Sequence, residues 1–153
     1  MNDFPKILLF KGRGVISNLI RWQTNGQYSH AALQLPDGKI IEAWHKPAEV
    51  RIRPPLKDWS NVDAFDVEGM TAKQWTLAAQ WTQMQVGKKY DFGGVLRFVT
   101  RWRKEQDDKW FCSELVFAAL KYAGVNLLER VQASQVSPTV LSFSPLLKKA
   151  NHY

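Results

Sequence analysis

Short strands followed by longer helical segments predict an α+β protein. Four runs with an alternating or short apolar pattern, typical of strands, fill the first part of the chain: residues 28–35, 40–44, 49–53 and 62–67. From Thr71 onward the apolar spacing becomes helical. Strands that precede helices in this way favour an α+β architecture over an alternating α/β one.

Length and composition predict one domain that spans residues 1–153. The chain has 153 residues, 45% of them hydrophobic, which is enough for a substantial core and argues against disorder. Its single cysteine excludes an intrachain disulfide framework and a zinc site with several cysteines. We therefore expect no metal and no other cofactor.

The apolar run Ile7–Phe10 is too short for the core of a signal peptide, and no other run approaches membrane-spanning length. The prediction is a cytoplasmic protein, unless a leader has been removed or export takes another route. The net charge of +7 favours an anionic partner such as a lipid head group, a cell-wall polymer or a nucleic acid. No nucleic-acid motif accompanies this charge, so we expect no nucleic-acid partner.

Each element of the first half has a local signal. Residues 6–10 predict a strand, residues 15–23 a short helix and residues 24–27 a turn. The turn formed by residues 36–39, which contains Pro-Asp-Gly, joins the next two strands into a β-hairpin. Pro54 and the proline after it end the strand that follows.

The second half is predominantly helical. A helix is predicted from Thr71 to about Gln85, with a capping box formed by Thr71 and Gln74. Further segments are then predicted in order: a loop over residues 86–94, a helix over 95–103, an exposed charged connection over 104–109, a helix from Cys112 to Gly124, and short turns or helical pieces over 137–141 and 144–147.

Cys112 begins the last long helix, after the aromatic residues Trp110 and Phe111. At this position the unpaired N–H groups and the helix dipole favour a thiolate, which would lower the pKa of the thiol and provide a nucleophile. Cys112 is also the first residue of the apolar stripe, so the alternative is an inert, buried cysteine.

His30 and Glu42 form the second candidate group. They lie on the two strands of the predicted hairpin, close to equal distances from its turn, so we expect them to be direct or diagonal cross-strand neighbours. A glutamate between Ile41 and Ala43 is costly unless it has a partner. The carboxylate would fix the tautomer of His30 and leave the other ring nitrogen to act as a base.

Tyr90 lies in the predicted glycine-flanked loop. Its phenol is a candidate donor to a developing oxyanion, and the equal alternative is an aromatic residue that covers the core.

Four motifs in order, Tyr-Ser-His-Ala-Ala-Leu, Ile-Ile-Glu-Ala, Gly-Lys-Lys-Tyr-Asp-Phe and Phe-Cys-Ser-Glu-Leu-Val, resemble the circularly permuted branch of the NlpC-like papain-fold superfamily, whose nearest members are the YiiX-like proteins. In that branch the histidine hairpin precedes the cysteine helix, as it does here. The resemblance covers residues 10–125, most of the chain, and implies a small antiparallel sheet or half-barrel with the cysteine helix packed across it.

The resemblance also implies functions for individual residues. By this resemblance, Cys112 corresponds to the family's nucleophile, His30 to its base and Glu42 to its orienting residue. Tyr90 corresponds to the tyrosine of the family's Pro-Tyr-x-x-Gly-Gly segment. The implied activity is a cysteine amidase or peptidase, with cell-wall peptide bonds as one substrate class. A lipid acyltransferase or phospholipase-like enzyme and an inactive module that binds a small ligand or a lipid remain alternatives.

The expected partners follow from these alternatives. They are a small-molecule, peptide or lipid substrate, with contact to a membrane surface in the lipid case. We expect either a phage product released by lysis, which could reach a cell-wall substrate without a leader, or an intracellular amidase. The sequence leaves the oligomeric state open.

Overall fold

The computed structural model describes residues 6–12, 26–91 and 109–151. The helices predicted over residues 15–23 and 95–103 lie outside these ranges. The described elements, in chain order, are β1 (Ile7–Phe10), β2 (His30–Gln34), β3 (Ile40–His45), β4 (Ala48–Arg53), β5 (Val62–Val67), α1 (Ala72–Gln83), β6 (Lys89–Tyr90), β7 (Lys109–Trp110), α2 (Cys112–Tyr122), a 3₁₀ turn (Ala133–Gln135), α3 (Pro138–Leu141) and β8 (Leu147–Lys149).

Within the described residues, one eight-stranded sheet forms a half-barrel with the order β7-β6-β4-β3-β2-β1-β5-β8. The α+β prediction is confirmed. The expectation of an antiparallel sheet was wrong at one edge, because β6 and β7 pair in parallel and make the sheet mixed. Two-residue strands have no periodicity that sequence reasoning can detect.

Strand β1 lies in the interior of the sheet, and this position explains its unbroken apolar sequence. Ile7, Leu8 and Leu9 are all fully buried. Ile7 and Leu9 join the larger core, whereas Leu8 joins a smaller core on the other face together with Ala32 and Ile40. Since both faces are covered, alternation gives way to a continuous hydrophobic run.

Helix α2 packs across β2 and β3 and against α1. Its buried residues Leu115, Val116, Ala119 and Leu120 follow the predicted helical spacing and belong to the larger core. The helix therefore brings its first residue, Cys112, to the sheet near the start of β2. No helix in the described ranges is both long and apolar enough to cross a membrane.

Helix α1 has the predicted start. The Thr71 hydroxyl accepts a hydrogen bond from the backbone N–H of Gln74, and the Gln74 side chain accepts one from the backbone N–H of Thr71. This reciprocal arrangement is the capping box expected from the sequence.

Candidate active site

His30 is the first residue of β2, and two aromatic rings hold its imidazole. Phe10 lies directly opposite on β1, with its ring 5.2 Å from the imidazole between centroids. The Trp44 ring meets the imidazole edge-on at 5.0 Å. These contacts restrict the rotation of the ring and leave its two nitrogens for polar partners.

Glu42 is a diagonal neighbour of His30. Leu33 pairs with Ile41, so the same register sets Glu42 opposite Ala32, one pleat from His30. Nε2 of His30 donates a hydrogen bond to Oε2 of Glu42 at 2.7 Å, and the glutamate side chain is fully buried. Of the two arrangements that the sequence allowed, the structure has the diagonal one.

Two arginines of β4 contact the other oxygen of this carboxylate. Nη2 and Nε of Arg51 donate hydrogen bonds to Oε1 of Glu42 at 2.9 and 3.1 Å. Nε of Arg53 lies 3.0 Å from the same atom as an ion pair. Sequence reasoning missed both arginines. The alternation in Glu-Val-Arg-Ile-Arg did carry a signal, since it places them on one face of the strand.

These cations keep Glu42 ionised. Burial alone would raise the pKa of the carboxyl group, but His30, Arg53 and Arg51 lower it to about 2. Glu42 is therefore a carboxylate throughout the neutral range, in spite of its complete burial.

Cys112 is a second polar neighbour of His30. Cys112 is close enough to His30 to shift the pKa of the imidazole, and because Nε2 is engaged by Glu42, Nδ1 is the ring nitrogen left for the sulfur. Burial by itself would lower the pKa of His30, but the negative charges of Cys112 and Glu42 and their hydrogen bonds raise it to about 9. The ring is therefore an imidazolium at neutral pH.

Cys112 itself is almost completely shielded from solvent. Cys112 is 1% exposed and belongs to the larger core. Cys112 is therefore buried in the core and also a neighbour of His30.

Tyr90 lies in strand β6 rather than in the loop that the sequence predicted, because the backbone of this strand pairs with β4 and β7. Its ring is buried and contacts the rings of His45 and Phe111. Burial raises the pKa of the phenol, and the charges of Cys112 and Glu114 raise it further. Tyr90 therefore keeps its proton near Cys112 and is a hydrogen-bond donor.

Ser113 has a structural contact. Its buried hydroxyl donates a hydrogen bond to the carbonyl of Val136 at 2.6 Å, which ties the start of α2 to the segment after the 3₁₀ turn. The first backbone N–H groups of α2 have no partner within the helix and lie next to the sulfur.

A groove of about 520 Å³ adjoins the arginine side of the site. Phe10 and Arg53 contribute to its wall, together with Lys57 and the apolar residues Leu56 and Val62. The groove thus connects solvent with residues that touch His30 and Glu42.

The half-barrel, with a histidine–glutamate pair on adjacent strands and a helix that begins at a cysteine, is a YiiX-like fold. Among solved structures, the chain is similar to the metalloprotein yiiX from Escherichia coli O157:H7 (DUF1105), with a TM-score of 0.73 over 98% of this chain and 97% of that one. The sequence identity is 22%, so this similarity shows the fold. No protein-family model and no curated protein matches the chain.

Proposed function

We propose that the chain is a cysteine hydrolase of the circularly permuted, NlpC-like papain type, which cleaves an amide bond through an acyl-enzyme. One observation carries the proposal: the His30 imidazole hydrogen bonds to the Glu42 carboxylate and also interacts with Cys112 at the start of α2. A cysteine paired with a histidine that a third group orients is the arrangement of thiol-dependent acyl transfer.

In the proposed reaction the Cys112 thiolate attacks the substrate carbonyl carbon and forms a tetrahedral oxyanion. The phenol of Tyr90 and the backbone N–H groups at the start of α2 donate hydrogen bonds to this oxyanion. The imidazolium of His30 gives its proton to the leaving amine, and the C–N bond breaks to leave a thioester. His30 then takes a proton from water, whose oxygen attacks the thioester, releases the acid and restores the thiolate.

A metal ion does not fit the glutamate of this site. Oε2 of Glu42 is engaged by His30, and two guanidinium groups lie at Oε1, where a further cation would be repelled. No cluster of three His, Cys, Asp or Glu side chains suited to a metal occurs in residues 6–12, 26–91 and 109–151. The description of yiiX as a metalloprotein therefore adds no step to this proposal.

The near-complete burial of Cys112 favours a second candidate function. In this alternative the chain is a module that binds a small ligand or a lipid at the same site and catalyses no reaction. The two candidates differ in the state of the thiol. A poised thiolate reacts with iodoacetamide at a pH where an ordinary thiol, with a pKa near 8.5, is mostly protonated.

Alkylation decides between them, because the chain has a single cysteine and every modified molecule is modified at Cys112. For the enzyme we expect labelling that persists well below about pH 7, and loss of this acidic labelling in His30→Ala. Labelling that follows an ordinary thiol and is the same in His30→Ala would overturn the proposal.

The substrate class is then tested directly. Muropeptides and acyl lipids are incubated with the wild type and with Cys112→Ala, and products are followed by mass spectrometry. We expect hydrolysis of muropeptide amides by the wild type alone. Acyl release from lipids alone would assign the chain to the lipid enzymes, and no cleavage of either class would favour the binding module.

A further inference from the structure

The buried carboxylate of Glu42 divides its two oxygens between two kinds of partner. Oε2 accepts only the hydrogen bond from His30, at 2.7 Å, among the contacts of the described residues. Oε1 accepts both hydrogen bonds from Arg51 and lies 3.0 Å from Nε of Arg53. A carboxylate held in this way cannot exchange its oxygens without breaking three hydrogen bonds and an ion pair.

The two arginines also hold the rings that enclose the imidazole. The guanidinium of Arg51 lies 4.7 Å above the Trp44 ring, and that of Arg53 lies 5.6 Å from the Phe10 ring. Trp44 and Phe10 are the rings on either side of His30. Each arginine therefore contacts the histidine's carboxylate partner and one of its ring neighbours.

The cross-strand register explains why both arginines converge on one oxygen. Arg51 is the direct partner of Glu42 in the β3–β4 ladder, and Arg53 lies two residues further along the same face. Direct and diagonal positions are the two from which a long side chain reaches a cross-strand neighbour. Both side chains remain about 30% exposed at the edge of the site.

We propose that Arg51 and Arg53 are positioning residues of the active site: they fix Oε1 of Glu42, so that Oε2 stays on Nε2 of His30 and Nδ1 stays directed at Cys112. This inference rests on the proposed function and adds two residues to its machinery. Neither arginine touches the sulfur or takes part in proton transfer. They act through Glu42.

The physical consequence is that the proposed ion pair between the His30 imidazolium and the Cys112 thiolate persists to lower pH. The charged groups that face Glu42 are His30 from β2 and the two arginines from β4. Cys112 and His45 interact with His30 in turn, and Lys46 acts on His45. Without an arginine, burial would favour the protonated carboxyl group. His30 would then lose its counter-charge, and the thiolate beside it would be protonated at a higher pH.

The test is the pH profile of Cys112 alkylation by iodoacetamide, measured on the full chain for the wild type, Arg51→Gln, Arg53→Gln and Arg51→Lys. Lys73→Gln, on the exposed start of α1, is the matched control for the loss of one positive charge. Circular dichroism verifies that each variant is folded. Arg53 donates no hydrogen bond to Glu42, so Arg53→Gln tests the inference even if Arg51→Gln does not fold.

We expect the pH below which Cys112 labelling falls off to be higher in both glutamine variants than in the wild type. On the acid side of that fall, the labelling rate should be about tenfold lower for each pH unit of the displacement. Arg51→Lys keeps the charge and should stay close to the wild type, as should Lys73→Gln. If an arginine had only a structural role, its replacement would lower the stability of the protein but leave the pH dependence of Cys112 labelling in the folded variant unchanged.

Two failures are distinguishable. If the wild type labels in acid and the folded glutamine variants match it, the positioning inference is wrong and the proposed function stands. If the wild type itself labels like an ordinary thiol, both are overturned.

Discussion

His30 shows how one side chain acquires its chemistry from neighbours on three different elements. Its ring is held by Phe10 from β1 and Trp44 from β3, and its nitrogens are engaged by Glu42 and Cys112. Burial by itself would lower the pKa of the ring and favour its neutral form, and the interactions with Cys112 and Glu42 reverse that preference. The charge of the imidazole is therefore a property of the assembled site.

Ser113 allows the structural and reactive contributions near the sulfur to be separated. In Ser113→Ala the buried carbonyl of Val136 loses its hydrogen bond, so we expect a loss of about 1–3 kcal/mol in the free energy of unfolding, measured with urea. Cys112 alkylation should keep its wild-type pH profile, since the hydroxyl donates its hydrogen bond to the Val136 carbonyl. A large change in that profile with little loss of stability would show that Ser113 belongs to the reactive group.

Helix α1 depends on a local start signal that a single substitution removes. Thr71→Ala deletes the hydroxyl that accepts the Gln74 N–H, and we expect a loss of about 1 kcal/mol in unfolding free energy. The matched control is Thr76→Ala in the same helix, whose hydroxyl only bonds back to the Ala72 carbonyl. Alanine is the better helix former there, so the control should be neutral or slightly stabilising. Equal losses in both variants would contradict the capping interpretation.

Strand β6 differs from the longer strands because its partners are distant in the sequence. Lys89 pairs with Glu49 of β4 and with Lys109 of β7. The flanking glycine indicated a loop, and no alternation was long enough to oppose that signal. The strand β6 forms because its backbone pairs with β4, and this pairing places Tyr90 beside Cys112.

The whole molecule should be most stable in a limited pH range. Burial opposes ionisation of Glu42 and Asp63, but their cationic and hydrogen-bonding partners lower both pKa values to about 2. A lowered pKa gives stability that is complete above the ordinary values of 4.5 and 3.8 and is lost as the pH falls toward 2. The raised pKa of His30 gives stability that is complete below 6.5 and is lost as the pH rises through about 9.

Urea unfolding across this pH range measures the effect. We expect a maximum of stability between about pH 4.5 and about pH 6.5, with a decline on both sides. Asp63→Asn removes the partner of Lys11, Lys149 and the Tyr28 hydroxyl, so its acid decline should be shallower than that of the wild type. Stability that stays constant from about pH 4.5 down to about pH 2 would show that these carboxylates are not held as described.

Much of the architecture was predictable because its signals are local. The strands from β1 to β5, the capping box at Thr71 and the apolar stripe of α2 were all predicted, and the structure confirms them. The hairpin turn near Asp37 also brought His30 and Glu42 close together, because a short connection leaves little freedom of register. The short strands β6, β7 and β8 carried no comparable pattern.

The amino-acid sequence determined which segments become strands and helices, and that Cys112 begins a helix, because these outcomes depend on side-chain spacing within about a dozen residues. It did not determine that Arg51 and Arg53 would share one oxygen of Glu42, or that the imidazole of His30 would meet the sulfur. Those contacts join β2, β3, β4 and α2, and they form only when the sheet register and the packing of the helix bring distant residues within hydrogen-bond distance.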